Sequence, residues 1–173
     1  MRKKDSKPRK ATARHLENSA LYYLQRFATS SENLKRVLMR KVARSAYVHD
    51  TDVAEGEAFV QDLITRFQSS GLLDDAVFAK GRAEILHRRG NSGRQIRAKL
   101  RQKGVADEAI DTALAALGDD GEAELTAALN YVKRRRFGPF AIKKPAPEQL
   151  QKQLASMARA GFSYNVAKKT LEN

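Results

Sequence analysis

The sequence lacks cysteine altogether and is poor in large apolar side chains. The absence of cysteine excludes disulfides, thiolate zinc sites and cysteine nucleophiles, and it fits the reducing cytoplasm. No stretch approaches the ~18 apolar residues of a membrane-spanning helix, and the basic N-terminus is not followed by the apolar segment of a secretion signal. We therefore expect a cytoplasmic protein that does not enter a membrane.

The shortage of large apolar residues limits the core. The 38 Leu, Ile, Val and Phe residues are about 22% of the chain, just above the ~20% below which a highly charged chain tends to stay disordered. The 26 alanines fill part of the gap with the residue of highest helix propensity. Past residue 14, the clear hydrophobic periodicity is helical, and sustained strand alternation is absent. The sequence predicts an all-α protein.

Capping residues and glycines divide the chain into nine predicted helices. These are expected at about 15–27, 30–45, 57–70, 75–89, 92–103, 106–117, 122–136, 147–160 and 163–171. A self-alignment offset by 62 residues places the capping Ser30 on Ser92, and an offset of 57 places the helix-ending Gly104 on Gly161. Such self-similarity predicts an elongated array of three tandem three-helix repeats, each too poor in large apolar residues to bury its face alone.

The predicted boundaries follow from this repeat. They are a basic disordered tail at 1–14, repeat 1 at 15–73 with a polar insertion near 46–56, repeat 2 at 74–118 and repeat 3 at 119–173.

Charge is abundant and unevenly distributed. The formal net charge is +13 and the pI is about 10.2, which points to a polyanionic or acidic partner. Residues 82–103 carry eight basic side chains against one acidic, whereas residues 107–124 carry seven acidic side chains and no basic one. Because that acidic band would repel DNA, a protein partner able to use both signs of charge is favoured.

Basic residues at helical spacing are the candidate partner-binding or nucleic-acid-binding residues. They form a stripe on the second predicted helix, a stripe on the fifth, and a cluster that ends the seventh. The full set is Arg36, Arg40, Arg44, Arg88, Arg94, Arg97, Arg101, Lys103, Lys133, Arg134, Arg135 and Arg136. A solvated surface explains one stripe alone, and the helix dipole explains the cluster. Two stripes together favour a partner, because like charges at i, i+4 weaken a helix by a few tenths of a kcal/mol.

Catalytic and metal-binding patterns are absent from the sequence. There is no GxxxxGK[ST] phosphate loop and no GxSxG nucleophile motif. Helix capping explains the paired carboxylates Asp74 and Asp75, and the acidic loop His49–Asp52 offers too few ligands for a metal. We therefore expect no enzymatic activity, no catalytic residues, no cofactor and no metal.

Three motifs resemble the RecX family of recombinase regulators. They are Ala20-Leu21-Tyr22-Tyr23-Leu24, then Gly71-Leu72-Leu73-Asp74-Asp75 with Phe78-Ala79, and Ser92-Gly93-Arg94-Gln95-Ile96-Arg97 through Leu100 to Lys103-Gly104-Val105. The resemblance is good over about residues 16–118 and looser beyond. It implies an all-helical protein that binds the RecA filament in its helical groove and blocks ATP hydrolysis, strand exchange and coprotease function, and so modulates DNA repair, recombination and the SOS response.

Two other interpretations stay open at this point. The charge alone would suit a sequence-nonspecific architectural protein that binds single-stranded and double-stranded DNA, and the third alternative is an enzyme with an unrecognised site. We expect a monomer.

Overall fold

The structure is a computed structural model that describes residues 8–172. This part of the chain forms nine α-helices, a 3₁₀ turn at Gly138–Phe140 and no strand, which confirms the all-α prediction. The helices are α1 (Ala13–Leu24), α2 (Ser31–His49), α3 (Val53–Ser69), α4 (Asp75–Arg88), α5 (Gly93–Gln102), α6 (Asp107–Ala115), α7 (Asp120–Arg135), α8 (Pro147–Arg159) and α9 (Tyr164–Glu172).

The serines predicted to begin α2 and α5 do so. The side-chain oxygens of Ser30 and Ser92 each accept a hydrogen bond from the backbone N–H three residues on, at 3.2 and 3.3 Å. This satisfies one of the N–H groups that a helix start leaves without an intrahelical partner. The equivalence of Ser30 and Ser92 in the self-alignment is therefore also an equivalence in structure.

The two aspartates before α4 cap different helices. Asp74 Oδ1 accepts from the second and third backbone N–H groups beyond it, both at 2.9 Å, and so caps α4. Asp75 Oδ1 instead accepts the Ser31 N–H at 2.7 Å, at the start of α2. The predicted cap of the fourth helix is therefore Asp74, whereas the bond from Asp75 to the start of α2 was not predicted.

Helix ends also repeat along the chain. Gly104 and Gly161 have φ angles of 76° and 88°, in the left-handed region where glycine is favoured. In both turns the next backbone N–H donates at 3.2 Å to the carbonyl five residues earlier, which completes a Schellman motif. Arg136 makes the same turn after α7 with φ 55° and no glycine.

The segment predicted as a polar insertion near 46–56 is mostly helical. α2 continues to His49 and α3 begins at Val53, so only three residues separate them. Asp50 ends α2 in the left-handed region with φ 52°. A Cβ on Gly56 would lie 2.5 Å from Val42 Cγ1, so this glycine allows α3 to approach α2 closely.

The predicted tail differs from the structure at its C-terminal end. Residues 1–7 lie outside the described part of the chain. From Pro8 onward the segment is held against the first helices, because Ala11 N donates to Ser45 Oγ at 2.9 Å and His49 Nε2 donates to the Pro8 carbonyl. α1 begins at Ala13, within the predicted tail, and Thr12 caps it.

The chain divides into two compact units, the first ending at Phe78 and the second beginning at Ala79. In the first unit α1, α2 and α3 pack together around an aliphatic core that includes Leu16, Leu34, Leu38 and Leu63. The first helix was predicted to run to about residue 27, but α1 ends at Leu24, and Phe27 lies beyond it and is 54% exposed.

In the second unit α5 packs on α6, and α9 packs on α7 and α8. The core between α7, α8 and α9 combines small residues such as Ala127 and Ala128 with Tyr131, Met157 and Phe162. Ile96 and Leu100 of α5 are fully buried. These contacts fix the faces that α4, α5, α7 and α8 present to solvent.

Candidate anion-binding cleft and basic helix faces

The basic stripe predicted on the second helix lies on α2. Arg36, Arg40 and Arg44 are all exposed, while Leu34, Leu38 and Val42 of the same helix are buried. Arg36 Nε donates to Glu32 Oε1 at 3.0 Å, one helical turn earlier. The face is therefore positive and accessible in the first unit, and Glu32 offsets the charge of Arg36.

The basic stripe predicted on the fifth helix is partly neutralised by α6. Arg101 donates from Nε and Nη2 to the two carboxylate oxygens of Asp107 at 2.7 and 3.0 Å, and Arg97 forms an ion pair with Asp111. The hydrogen bond from Arg101 lowers the pKa of Asp107, and the same bond raises the pKa of Arg101. Part of the acidic band at 107–124 therefore compensates charge inside the second unit.

A different face of α5 lines an open cleft of about 730 Å³ in the second unit. Among the described residues, seven cationic side chains and no carboxylate line it. The cations are Arg82, Arg89, Lys99, Lys103, Arg134, Arg135 and Arg159, and the other polar side chains are Asn91, Gln95, Gln102, Tyr131 and Ser156.

Helix ends gather these cations. Lys99 lies in the last turn of α5 and Lys103 follows its end, Arg134 and Arg135 lie in the last turn of α7, and Arg159 is the last residue of α8. Cations are favoured at helix C-termini because the carbonyl groups there carry partial negative charge. Because the C-terminal ends of several helices lie at the cleft, this preference collects basic residues there.

Lys99 lies among the other charges of the cleft. Burial lowers its pKa, and the nearby positive charges of Arg82, Arg134 and Arg89 lower it further. Its Nζ donates to Asn91 Oδ1, and Asn91 Nδ2 donates to the Leu86 carbonyl at 2.7 Å. The ammonium group is thus held in place by a buried amide while its neighbours disfavour its charge.

Tyr131 forms one wall of the cleft. Its ring is 4% exposed, with Phe162 and Phe137 edge-on at centroid distances of 5.5 and 6.2 Å. The guanidinium groups of Arg135 and Arg134 lie 5.4 and 5.8 Å from its centroid, within cation–π range. The ring supports the two arginines and leaves no open face on which a planar ligand could stack.

The cleft brings together only part of the predicted set. Lys103, Arg134 and Arg135 line it, whereas the other nine predicted residues do not. Four further cations of the cleft were not predicted from the sequence, namely Arg82, Arg89, Lys99 and Arg159. A stripe of basic residues is recognised along one helix, whereas the cleft is lined by residues from four helices. The available signal was a basic residue at or directly after the C-terminal end of four of the helices, namely Arg89, Lys103, Arg135 and Arg159.

Metal-binding and membrane-spanning features are not found in the described residues. No three His, Asp or Glu side chains there are grouped so as to hold a metal ion. His87 Nε2 donates to the Ala123 carbonyl at 2.7 Å, and this hydrogen bond links α4 to α7. Within residues 8–172 no helix combines the length and the apolar character needed to cross a membrane.

Comparisons with known proteins give a consistent result. The family model for the second three-helix domain of RecX matches residues 74–114. The regulatory protein RecX of Myxococcus xanthus is 38% identical over 168 residues, which are 96% of this chain and 89% of that protein. The regulatory protein RecX of Agrobacterium fabrum is 34% identical over 154 residues, or 89% of this chain and 80% of that one.

Solved structures show the same fold at lower identity. The crystal structure of RecX from Lactobacillus salivarius aligns with a TM-score of 0.66 at 17% identity, over 92% of this chain and 94% of that one. A second crystal structure of a regulatory protein RecX aligns at 0.67 and 21% identity, over 93% and 72%. From the sequence similarity over nearly its whole length, this chain belongs to the RecX family of regulatory proteins.

Proposed function

We propose that the protein binds the nucleoprotein filament of the RecA recombinase in the cytoplasm and inhibits its ATPase, recombinase and coprotease activities. By doing so it would modulate DNA repair, recombination and the SOS response. The observation that carries this proposal is the 38% identity to a regulatory protein RecX over 96% of the chain. The family resemblance supplies the partner, and the surface of the molecule supports it.

The distribution of charge suits a partner made of both protein and nucleic acid. The arginines of α2 and the cleft of the second unit offer positive charge to a polyanion. Exposed carboxylates such as Glu108 and Glu122 lie in the same chain and would be repelled by bare DNA. A nucleoprotein filament presents phosphates together with protein side chains of both signs, so both kinds of surface find a complement there.

The alternative function is that of a sequence-nonspecific architectural protein bound to DNA. The cleft favours it, because seven cations without a lining carboxylate would attract phosphates from any nucleic acid. An architectural protein would coat DNA in proportion to its length, whereas a filament regulator acts when it is scarcer than the recombinase.

Measuring ATP hydrolysis by RecA on single-stranded DNA tests the proposal. We expect inhibition at substoichiometric amounts of this protein, at concentrations where it does not bind the same bare DNA. Binding to RecA filament, free RecA and bare DNA is measured in parallel. Inhibition that appears only once the DNA is already coated by this protein would support the architectural alternative instead.

A further inference from the structure

The cleft of the second unit has a chemistry that the family relationship does not assign. We propose that it is a binding site for a run of adjacent phosphate groups, the chemistry shared by a nucleic-acid backbone and a nucleoside polyphosphate. This goes beyond filament regulation, because it concerns a ligand that the isolated protein would bind without any recombinase.

The first argument is the amount of charge. Each helix C-terminus carries a partial charge of about −0.5, so the ends of α4, α5, α7 and α8 supply about −2 in total. Of the side chains that the structure describes, seven cations and no carboxylate line the cleft. Helix-end compensation accounts for fewer than half of these charges. The lining side chains therefore leave a net positive field in a concave site, which raises the local concentration of anions.

The second argument is the type of cation. Five of the seven are arginines, whose planar guanidinium donates paired hydrogen bonds that match phosphate oxygens. The five come from three helices and the residue that follows one of them, so they surround a volume instead of forming a line. At about 730 Å³ the cleft has the size of an ordinary ligand site and would hold several phosphate groups.

The third argument concerns what the cleft does not offer. Within residues 8–172, Tyr131 is the one aromatic residue that lines the cleft, and its ring is covered by Phe137, Phe162 and two arginines. Proteins that read single-stranded bases place aromatic rings where bases can stack on them. The cleft therefore recognises the phosphate chain and is indifferent to the base.

Lys99 shows that the positive charges already oppose one another. Its pKa is lowered by burial and by Arg82, Arg134 and Arg89, while its hydrogen bond to Asn91 fixes the ammonium group in the wall. A bound phosphate would relieve this repulsion. The site is thus arranged in advance of its ligand.

The experiment measures binding of fluorescent single-stranded oligonucleotides to the full chain by anisotropy. An oligodeoxythymidine is compared with an abasic oligonucleotide of equal length, which keeps the phosphates and removes the bases. We expect the two affinities to agree within about threefold. Affinity for the abasic strand more than tenfold weaker would overturn the phosphate-only assignment.

Paired variants locate the site. Arg89→Gln with Arg159→Gln removes two exposed cations of the cleft, and Lys80→Gln with Lys169→Gln removes two exposed cations elsewhere in the same unit. We expect at least a tenfold loss of affinity for the first pair and less than a threefold loss for the second. The salt slope should fall by up to about 1.4 in the first pair, since each phosphate neutralised on a single strand contributes about 0.7.

Competition by inorganic tripolyphosphate distinguishes the two sources of phosphate. Displacement of the oligonucleotide at micromolar tripolyphosphate supports a site for short free polyphosphates, and no displacement supports one for a longer backbone. Equal losses for both variant pairs, with circular dichroism showing both folded, would overturn the cleft as the site. RecA inhibition by the same variants is measured separately: retained inhibition with lost oligonucleotide binding leaves the proposed function standing.

Discussion

Two faces of α5 carry similar numbers of basic residues and meet opposite environments. On one face Arg97 and Arg101 form ion pairs with Asp111 and Asp107 of α6. On the other, Lys99 and the following Lys103, just past the helix end, line a cleft in which no carboxylate is found among residues 8–172. Both faces belong to the same helix and carry positive charge. They differ in the side chains that surround that charge, which are carboxylates of α6 on one face and other cations on the other.

The comparison shows that a cation's value for binding depends on its partner more than on its exposure. A paired guanidinium must exchange its carboxylate for the ligand, and this exchange cancels most of the Coulombic gain. A cation surrounded by other cations gains more from the same ligand, because repulsion is relieved as attraction is made. We therefore expect the cleft to contribute more to anion binding than the face that α6 covers.

The largest effect is expected from a cavity in the core beneath α5, the helix that carries both faces. Leu100 is fully buried in α5, and Leu100→Ala should lower the free energy of unfolding by about 2–5 kcal/mol through lost burial and a residual cavity. Urea unfolding followed by circular dichroism measures this. The exposed Lys80→Ala on α4 serves as control, and a loss for Leu100→Ala no greater than in that control would contradict the packing of α5.

A tenfold effect is expected from neutralising the cleft in the proposed filament-binding reaction. Arg89→Gln with Arg134→Gln should raise the concentration that half-inhibits RecA ATP hydrolysis by about tenfold, which corresponds to ~1.4 kcal/mol. Arg97→Gln with Arg101→Gln should raise it by no more than about threefold, because these side chains are already paired. The reverse ranking would mean that the α6-covered face makes the contact.

The sequence predicted the fold better than the site, for reasons that particular residues make clear. The capping hydrogen bonds that Ser30 and Ser92 accept, and the turns at Gly104 and Gly161, join residues at most five positions apart. These roles could therefore be recognised locally. The cleft depends on packing that brings Arg82 of α4 and Arg159 of α8 to one site. The spacing of basic residues along a single helix does not indicate which residues of other helices will lie next to them.

The sequence also did not predict which residues the acidic side chains contact. The acidic band at 107–124 was interpreted as a surface for a partner, yet Asp107 and Asp111 face α5 and Glu124 Oε2 accepts the Gly93 N–H at 3.2 Å at the start of that helix. The turn between α5 and α6 brings Asp107 and Asp111 to α5, whereas Glu124 reaches Gly93 from α7. The extension of α2 to His49 was not predicted either, because the largely polar segment at 49–57 resembles a loop, whereas in the structure only residues 50–52 of it separate α2 from α3.

A few-fold gain in oligonucleotide affinity is expected when the α5 face that pairs with α6 loses its carboxylate partners. Asp107→Asn with Asp111→Asn leaves Arg97 and Arg101 without carboxylate partners, so affinity for a single-stranded oligonucleotide should rise about threefold at low salt and the salt slope should steepen by up to about 1.4. The matched control is Glu108→Gln with Glu122→Gln, which removes two exposed carboxylates that form no ion pair among residues 8–172. An equal gain in both pairs would show a general effect of net charge and no specific masking.

The smallest effect is the pH dependence of the Arg101–Asp107 pair. The hydrogen bond and positive charge of Arg101 lower the pKa of Asp107 in the folded chain, so the folded state binds this proton less readily than the unfolded state. The stabilisation is therefore fully present above the unfolded pKa of about 3.9 and is lost as pH falls through the lowered folded value. Urea midpoints of the wild type and Asp107→Asn should differ slightly at pH 7 and converge towards pH 2. A difference that persists unchanged at pH 2 would show that Asp107 stabilises α6 through its shape at the helix start, independently of its charge.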